Sequence, residues 1–314
     1  MTQAIRITQF LLVVLGAPLI GGIIARVKAR LQQRKGASIW RPYAELLKMF
    51  QKEDLVPPSA SSLFRLGPVV ELTVTIVAAA FIPVLSASAL LGHAGDFVVV
   101  VYVLAIGRFF SALGAFDGGS PFAGMGASRE FMVAALAEGP MLLSLASLAI
   151  MAHETTIAGM VSWTVQQNFF DVSAVHTVAL FALAIVAIAE TGRMPVDNPT
   201  SHLELTMIHE AMVLEYSGPS LALVEWAHSI KLHVILALLV GLFVPWGIAA
   251  TPVVSVSAVT LAFVFYVMKV LGLAIAIALI ESSVAKLRMY LVPNLLGIAG
   301  GLGVLAVVFT VLMR

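Results

Sequence analysis

Eight apolar runs divide this chain, and each approaches the roughly 20 residues that an α-helix needs to cross a bilayer. They fall at about 7–25, 68–92, 97–116, 131–152, 174–190, 229–250, 253–280 and 292–313. None alternates as the strands of a membrane barrel do. The expected fold is all-α: a single integral membrane domain over residues 1–314, a polytopic bundle of about eight transmembrane helices. Composition agrees, with 60% hydrophobic and 11% charged residues where an average soluble domain has about 25% charged. No small-residue cleavage site follows the first run, which reads as a span and not as a cleaved signal. The chain has no cysteine, so disulfides, thiol chemistry and iron–sulfur ligation by its own residues are excluded.

The net charge is only +1, but the positive charges are unevenly placed. The loops after spans one, three, five and seven hold Arg26, Lys28, Arg30, Arg34, Lys35, Arg41, Lys48, Lys52, Arg65, Arg129, Arg193, Lys286 and Arg288. The other side holds only Arg6 and Arg314. Basic loops stay in the cytoplasm, so an even span count puts both termini on the outer side of the inner (cytoplasmic) membrane. Cytoplasmic loops are expected near 26–67 and 191–228, with a less charged connection at 153–173. Residues 40–54 read as an amphipathic helix, Leu46, Leu47, Met49 and Phe50 opposing Lys48 and Lys52, lying on lipid headgroups or against a partner.

Residues 190–218 carry five carboxylates, two histidines and one arginine between two apolar runs. Ionisable groups are costly at membrane depth and mark function there. Pro195 and Pro199 interrupt helix, and a helix over 200–216 would put Glu204 and Glu215 on one face and His202 and His209 on another. Carboxylates bridged by water form a proton path. Solvated loop acids with ordinary partners would give the same composition. No histidine stands at Val213, so His209-Glu210 does not complete the His-Glu-x-x-His zinc motif, and no metal or cofactor site is expected. Glu71, Arg108, Glu138, Glu190 and Lys269 lie within spans, and Glu281 ends the seventh. This set fits a proton- or ion-coupling site better than scattered structural pairs. Gly118, Gly119, Gly124 and Gly126, with Pro121, mark a tight turn between spans three and four.

Four segments carry a resemblance. They are Glu190-x-x-Arg193-x-Pro195-x-Asp197 with Glu204-Leu205 and Glu215-Tyr216-Ser217-Gly218; the basic Arg26–Gly36; Gly119–Glu130 with Glu138; and Glu281–Arg288. Together they resemble the respiratory complex I subunit 1 family, in particular its hydrogenase-4 and formate hydrogenlyase membrane-subunit branch. The resemblance implies eight helices seating a peripheral arm of iron–sulfur and large hydrogenase-like subunits beside antiporter-like membrane subunits in the lipid bilayer. Iron–sulfur clusters, and nickel–iron in one branch, would belong to those partners. By the same resemblance Glu138, Glu190, Glu204 and Glu215 form the proton pathway, and Glu210 in the same acidic segment is counted with them. Arg30, Arg34, Lys35, Arg129, Arg193 and Asp197 shape the loops or face the partner. The interval from Asp197 to Glu215 is nearly a helical turn longer than in quinone-reducing members, which argues against a quinone cavity. Gly36 is followed by Ala37 where the family often has proline.

The expected function is a non-catalytic subunit of an energy-converting redox complex, anchoring the peripheral arm and coupling electron transfer to proton or ion movement. Nucleic acid is not an expected partner. Two other readings stand beside it: a quinone-binding subunit of a complex I-like dehydrogenase, and a free-standing proton- or ion-coupled transporter. The lack of an internal repeat argues against the last.

Overall fold

The computed structural model describes residues 2–167, 174–198, 207–249 and 256–312. Seven helices in this range are long and apolar enough to cross a bilayer: α1 (Thr2–Leu31), α3 (Ser62–Phe81), α4 (Phe97–Asp117), α5 (Pro121–Ala152), α9 (Gly218–Phe243), α10 (Val256–Ser283) and α11 (Val292–Leu312). The shorter apolar α7 (Ala174–Glu190) has 17 residues, about 26 Å at 1.5 Å per residue, and completes the expected eight. Three short helices, α2 (Arg41–Phe50), α6 (Ile157–Gln166) and α8 (His209–Met212), lie between them.

The core runs along α9, the most enclosed span, with 83% of its window buried. It packs against α3, α1, α2 and α7, while α5, α7 and α11 form a second group beside it. Around Pro18 of α1 the backbone is completed from outside the helix. Proline has no N–H, so the carbonyl four residues earlier, that of Val14, loses its helical donor. Trp226 Nε1 of α9 supplies one at 3.2 Å. The adjacent carbonyls of Val13 and Leu15 accept from His233 Nδ1 at 2.8 Å and from the Tyr43 hydroxyl at 2.6 Å. His233 Nε2 then accepts the Tyr266 hydroxyl at 2.6 Å, which ties in α10. A carbonyl at membrane depth has no water to turn to, so these three side chains hold α1 against α2 and α9.

Several expected boundaries move. The second span ends at Phe81 and not near 92, because Pro83 stops the helix and disfavours helical geometry at Ile82. The irregular chain that follows is buried. Gln9 of α1 satisfies it, its Oε1 accepting from the N–H groups of Val84, Leu85 and Ser86 at 3.1–3.3 Å and its Nε2 donating to Ser88 O at 2.6 Å. α5 starts at Pro121, ten residues before the expected 131, since a proline in the first helical turn sacrifices no hydrogen bond. Gly124 and Gly126 are therefore helical, and the turn keeps only Gly118, Gly119 and Ser120. Pro219 likewise starts α9 at Gly218, so residues 218–228 are the first turns of a span and not loop.

The polar connections gather at two ends of the bundle. At one end Asp117 accepts from the N–H of Ser61 at 2.6 Å, Asp54 accepts the Ser220 hydroxyl at 2.7 Å, and Lys28 meets Glu281 at 3.2 Å. All the expected basic loops share this end. At the other, backbone bridges join Ser86 to Ala249 and Asp96 to Thr156. α2 has no buried residue, and Trp40, Leu47 and Phe50 are exposed, as its amphipathic pattern predicts.

Candidate functional site: a charged chamber within the bundle

Five spans converge near the basic end. Arg108 and Ser111, three apart and so on one face, come from α4. His228 and Lys231 share a face of α9 in the same way. Glu71 of α3, Glu130 of α5, Glu190 at the end of α7, and His209 and Met212 of α8 complete the wall. The cavity among these side chains measures about 20 Å³, room for an ordered water.

Arg108 organises the charges. Its Nη1 lies 2.5 Å from Glu190 Oε1 and its Nη2 lies 2.8 Å from Glu138 Oε1, so one guanidinium joins α4, α5 and α7. Lys231 Nζ stands 3.2 Å from the other Glu190 oxygen. The Ser111 hydroxyl donates a short hydrogen bond to Glu71 Oε2. Glu71, Arg108, Glu190 and Lys231 are each no more than 8% exposed. Glu138 differs: 30% of its side chain is exposed, on the flank of the bundle next to Gly139, whose missing side chain leaves open space. Ions buried this deeply persist only with such pairing, because the desolvation of each charge must be offset.

The 191–198 segment caps the chamber through two further knots. Glu281 of α10 accepts from Lys28 at 3.2 Å and from Arg193 at 3.1 Å. Asp197 accepts Lys286 at 2.6 Å and three backbone N–H groups, those of Asn198, Ile208 and His209, at 2.8–3.3 Å. One carboxylate thus gathers both flanks of residues 199–207. Arg129 donates to Met207 O at 2.9 Å, and Gly126 lets Ala211 and the Ile208 carbonyl sit directly on α5. The His209 ring stacks on His228 with centroids 4.3 Å apart. Burial holds the His209 imidazole below its ordinary range despite the opposing charge of Glu210, and its Nε2 has no partner among the described residues. Tyr216 stacks on Phe64 at 4.3 Å, its hydroxyl in a slot that Gly67 and Gly114 leave open. Burial pushes the Tyr216 phenol well above its ordinary range, so it stays neutral.

Of the expected proton-pathway acids, Glu190 lines the chamber and Glu138 joins it through Arg108. Glu204 lies outside the described residues. The expected helix over 200–216 is corrected for its described part: only His209–Met212 is helical, because Asp197 takes the N–H groups of Ile208 and His209 and the chain then turns into α9. Glu215 therefore sits off any helix, against Gly118, and Glu210 lies on α8 beside His209; neither lines the chamber. Arg129, Arg193 and Asp197 shape the loop, each through the contacts above. Arg30, Arg34 and Lys35 are exposed at the basic end. Lys269 stands apart from the acids: its Nζ donates to the carbonyls of Val244 and Trp246 at 2.8 and 2.6 Å, just past the end of α9. A lysine there completes helix-terminal carbonyls. Lys231, Glu130, His228 and Ser111 are chamber residues that sequence reasoning did not single out. Lys231 carried a usable signal, a lone cation inside an apolar run.

The sequence pattern of the NADH dehydrogenase family fits residues 4–311. The chain belongs to that family. Within the NADH dehydrogenase family it is 33% identical over 303 residues to hydrogenase-4 component C of Escherichia coli, covering 96% of this chain and 94% of that one. It is 34% identical over 292 residues to formate hydrogenlyase subunit 4 of the same organism, covering 93% of each. With an NADH-quinone oxidoreductase subunit of Thermomicrobium roseum it shares 29% over 243 residues, covering 69% of this chain and 70% of that one. The expected family and branch are both met. A chain in the structure of the membrane-bound sulfane sulfur reductase, an archaeal respiratory membrane complex, has the same fold, with a TM-score of 0.82 over 98% of each chain at 20% identity.

Proposed function

We propose that this chain is the membrane subunit of an energy-converting redox complex of the hydrogenase-4 or formate hydrogenlyase type, and that its charged chamber couples electron transfer in a peripheral arm to proton movement. The observation that carries this reading is Arg108 bridging Glu190 and Glu138: a paired, water-sized acidic site beneath the loop that an electron-carrying partner would cover. The partners would hold the iron–sulfur clusters and any nickel–iron centre, and this chain would supply proton sites and an anchor. The basic end, with exposed Arg30, Arg34 and Lys35, faces the cytoplasm and seats the arm; both termini face outward across the inner membrane. Glu138, part-exposed on the flank, opens the chamber sideways toward an adjoining antiporter-like subunit. A quinone ring is held by mostly apolar walls, and this chamber, lined largely by ionisable groups, does not suit one.

Glu190→Gln in the assembled complex tests the reading. Gln keeps the shape and hydrogen bonding of the side chain but removes the charge that pairs Arg108 and Lys231, which are then free to hold a neighbouring chamber acid ionised. Partner subunits should co-purify as before while proton uptake driven by electron transfer falls by roughly 10²-fold or more. Assembled complex with unchanged uptake would reduce the chain to an anchor.

A further inference from the structure

We propose that Glu130 is the exchangeable carboxylate of the chamber, the group that takes up a proton and hands it on while Glu190 and Glu138 stay locked in ion pairs. This deepens the coupling reading above and rests on it.

The acids differ in what holds them. Glu190 has a cation on each oxygen, Arg108 at 2.5 Å and Lys231 at 3.2 Å. Glu138 is held by the second nitrogen of Arg108 at 2.8 Å. Glu71 carries no cation, but the Ser111 hydroxyl occupies its Oε2. Glu130 lines the same chamber and takes no hydrogen bond or ion pair from any described residue. Its placement is not incidental. α5 begins at Pro121, so Glu130 lies more than two turns inside the helix, two turns before Glu138 on the same helix.

Protonating Glu190 or Glu138 means breaking a buried pair, and leaving one ion of such a pair uncompensated is strongly unfavourable. Protonating Glu130 breaks nothing. The titratable groups around it are Glu71 on α3, Arg108 on α4, Glu190 on α7, Asp197 in the capping segment, His209 on α8, and His228 and Lys231 on α9. Arg108 and Lys231 are already committed to Glu190 and Glu138, so a proton is the counter-ion left for Glu130. Water in the chamber can deliver it. The step is a plain transfer: a proton bonds to a Glu130 carboxylate oxygen to give the neutral acid, then leaves from that oxygen to the next acceptor. No electron moves in this chain.

The test uses sealed vesicles holding the assembled complex, with Glu130→Gln, Glu130→Asp, Glu71→Gln and Glu190→Gln compared with the parent. Glu130→Gln should assemble normally and lose proton uptake by roughly 10²-fold or more, as loss of an obligatory proton carrier does. Glu130→Asp should recover much of it with a displaced pH profile, which a purely structural carboxylate would not show. Should Glu130→Gln fail to assemble, the Glu130→Asp profile decides, and one superimposable on the parent's overturns the proposal. Normal uptake in Glu130→Gln overturns it too, as does a loss confined to Glu71→Gln. If Glu130→Gln is normal while Glu190→Gln is not, the coupling reading survives without Glu130. If both are normal, the coupling reading itself falls.

Discussion

Arg108 and Glu190 form the tightest ion pair of the chamber, Nη1 to Oε1 at 2.5 Å, between residues 82 apart in the chain. The same guanidinium holds Glu138, so one planar cation fixes the spacing of two carboxylates on separate spans. Bidentate geometry of this kind belongs to arginine and not to lysine. Arg108→Met orphans Glu138 and leaves Glu190 with Lys231 alone. We expect it to destabilise the assembled subunit by about 3–5 kcal/mol, as removing one side of a buried pair does. Arg108→Lys should recover only part of that. The check is a thermal midpoint of the detergent-purified complex, and an Arg108→Met variant as stable as the parent contradicts the pairing.

Trp226 and Pro18 make a second coupled pair. The indole N–H replaces the backbone donor that Pro18 removes from Val14 O. Trp226→Phe keeps most of the ring and leaves that carbonyl unsatisfied, at a cost of about 1–3 kcal/mol. In a Pro18→Ala background the helix supplies its own donor, and the same Trp226→Phe change should cost clearly less. Additive losses in this double-mutant cycle would show that the indole does not serve the carbonyl.

His209 gives the loop a pH dependence of known sign. Burial, the largest influence on it, favours the neutral ring in the folded protein, and Glu210 only partly offsets this. Above its unfolded pKa of about 6.5 both states are neutral and His209 contributes no slope. Below that value the unfolded chain binds a proton that the folded loop resists, so stability falls with pH until the depressed folded pKa is passed. The slope from one group is at most about 1.4 kcal/mol per pH unit. His209→Asn should flatten the decline of the thermal midpoint below about pH 6.5. An unchanged decline would place the acid sensitivity elsewhere.

The legible and illegible parts of this protein divide along physical lines. Apolar runs of bilayer length announced the eight spans, and the basic loops announced which ends lie together, because both signals are local and additive. Helix ends were less readable. Prolines 121 and 219 start helices well before their apolar runs begin, so Glu130 and His228 read as loop residues although they lie inside the bundle. Pro83 ended a helix inside a run that stays apolar to Leu91. Glu138, Glu190 and Arg108 were visible one by one as charges in hydrocarbon; that Arg108 joins the other two depends on how α4, α5 and α7 pack, which no periodicity encodes. Glu215 drew attention as part of a dense acidic segment, yet its neighbours are Gly118 and the end of α4. Lys269, another intramembrane charge, completes carbonyls just past the end of α9 and has no part in the chamber.

The most direct measurement of the central claim is the ratio of protons moved to electrons transferred, recorded in the same sealed vesicles for the parent complex, Glu138→Gln and Glu45→Gln. Glu45 pairs with Arg41 on the exposed α2, is not part of the chamber wall, and serves as the control. A coupling site predicts that Glu138→Gln, by freeing Arg108 to hold Glu130 ionised, lowers the ratio roughly 10²-fold in the assembled complex while Glu45→Gln leaves it at the parent value. An assembled Glu138→Gln complex that keeps the parent ratio would contradict the claim that protons pass through this chamber.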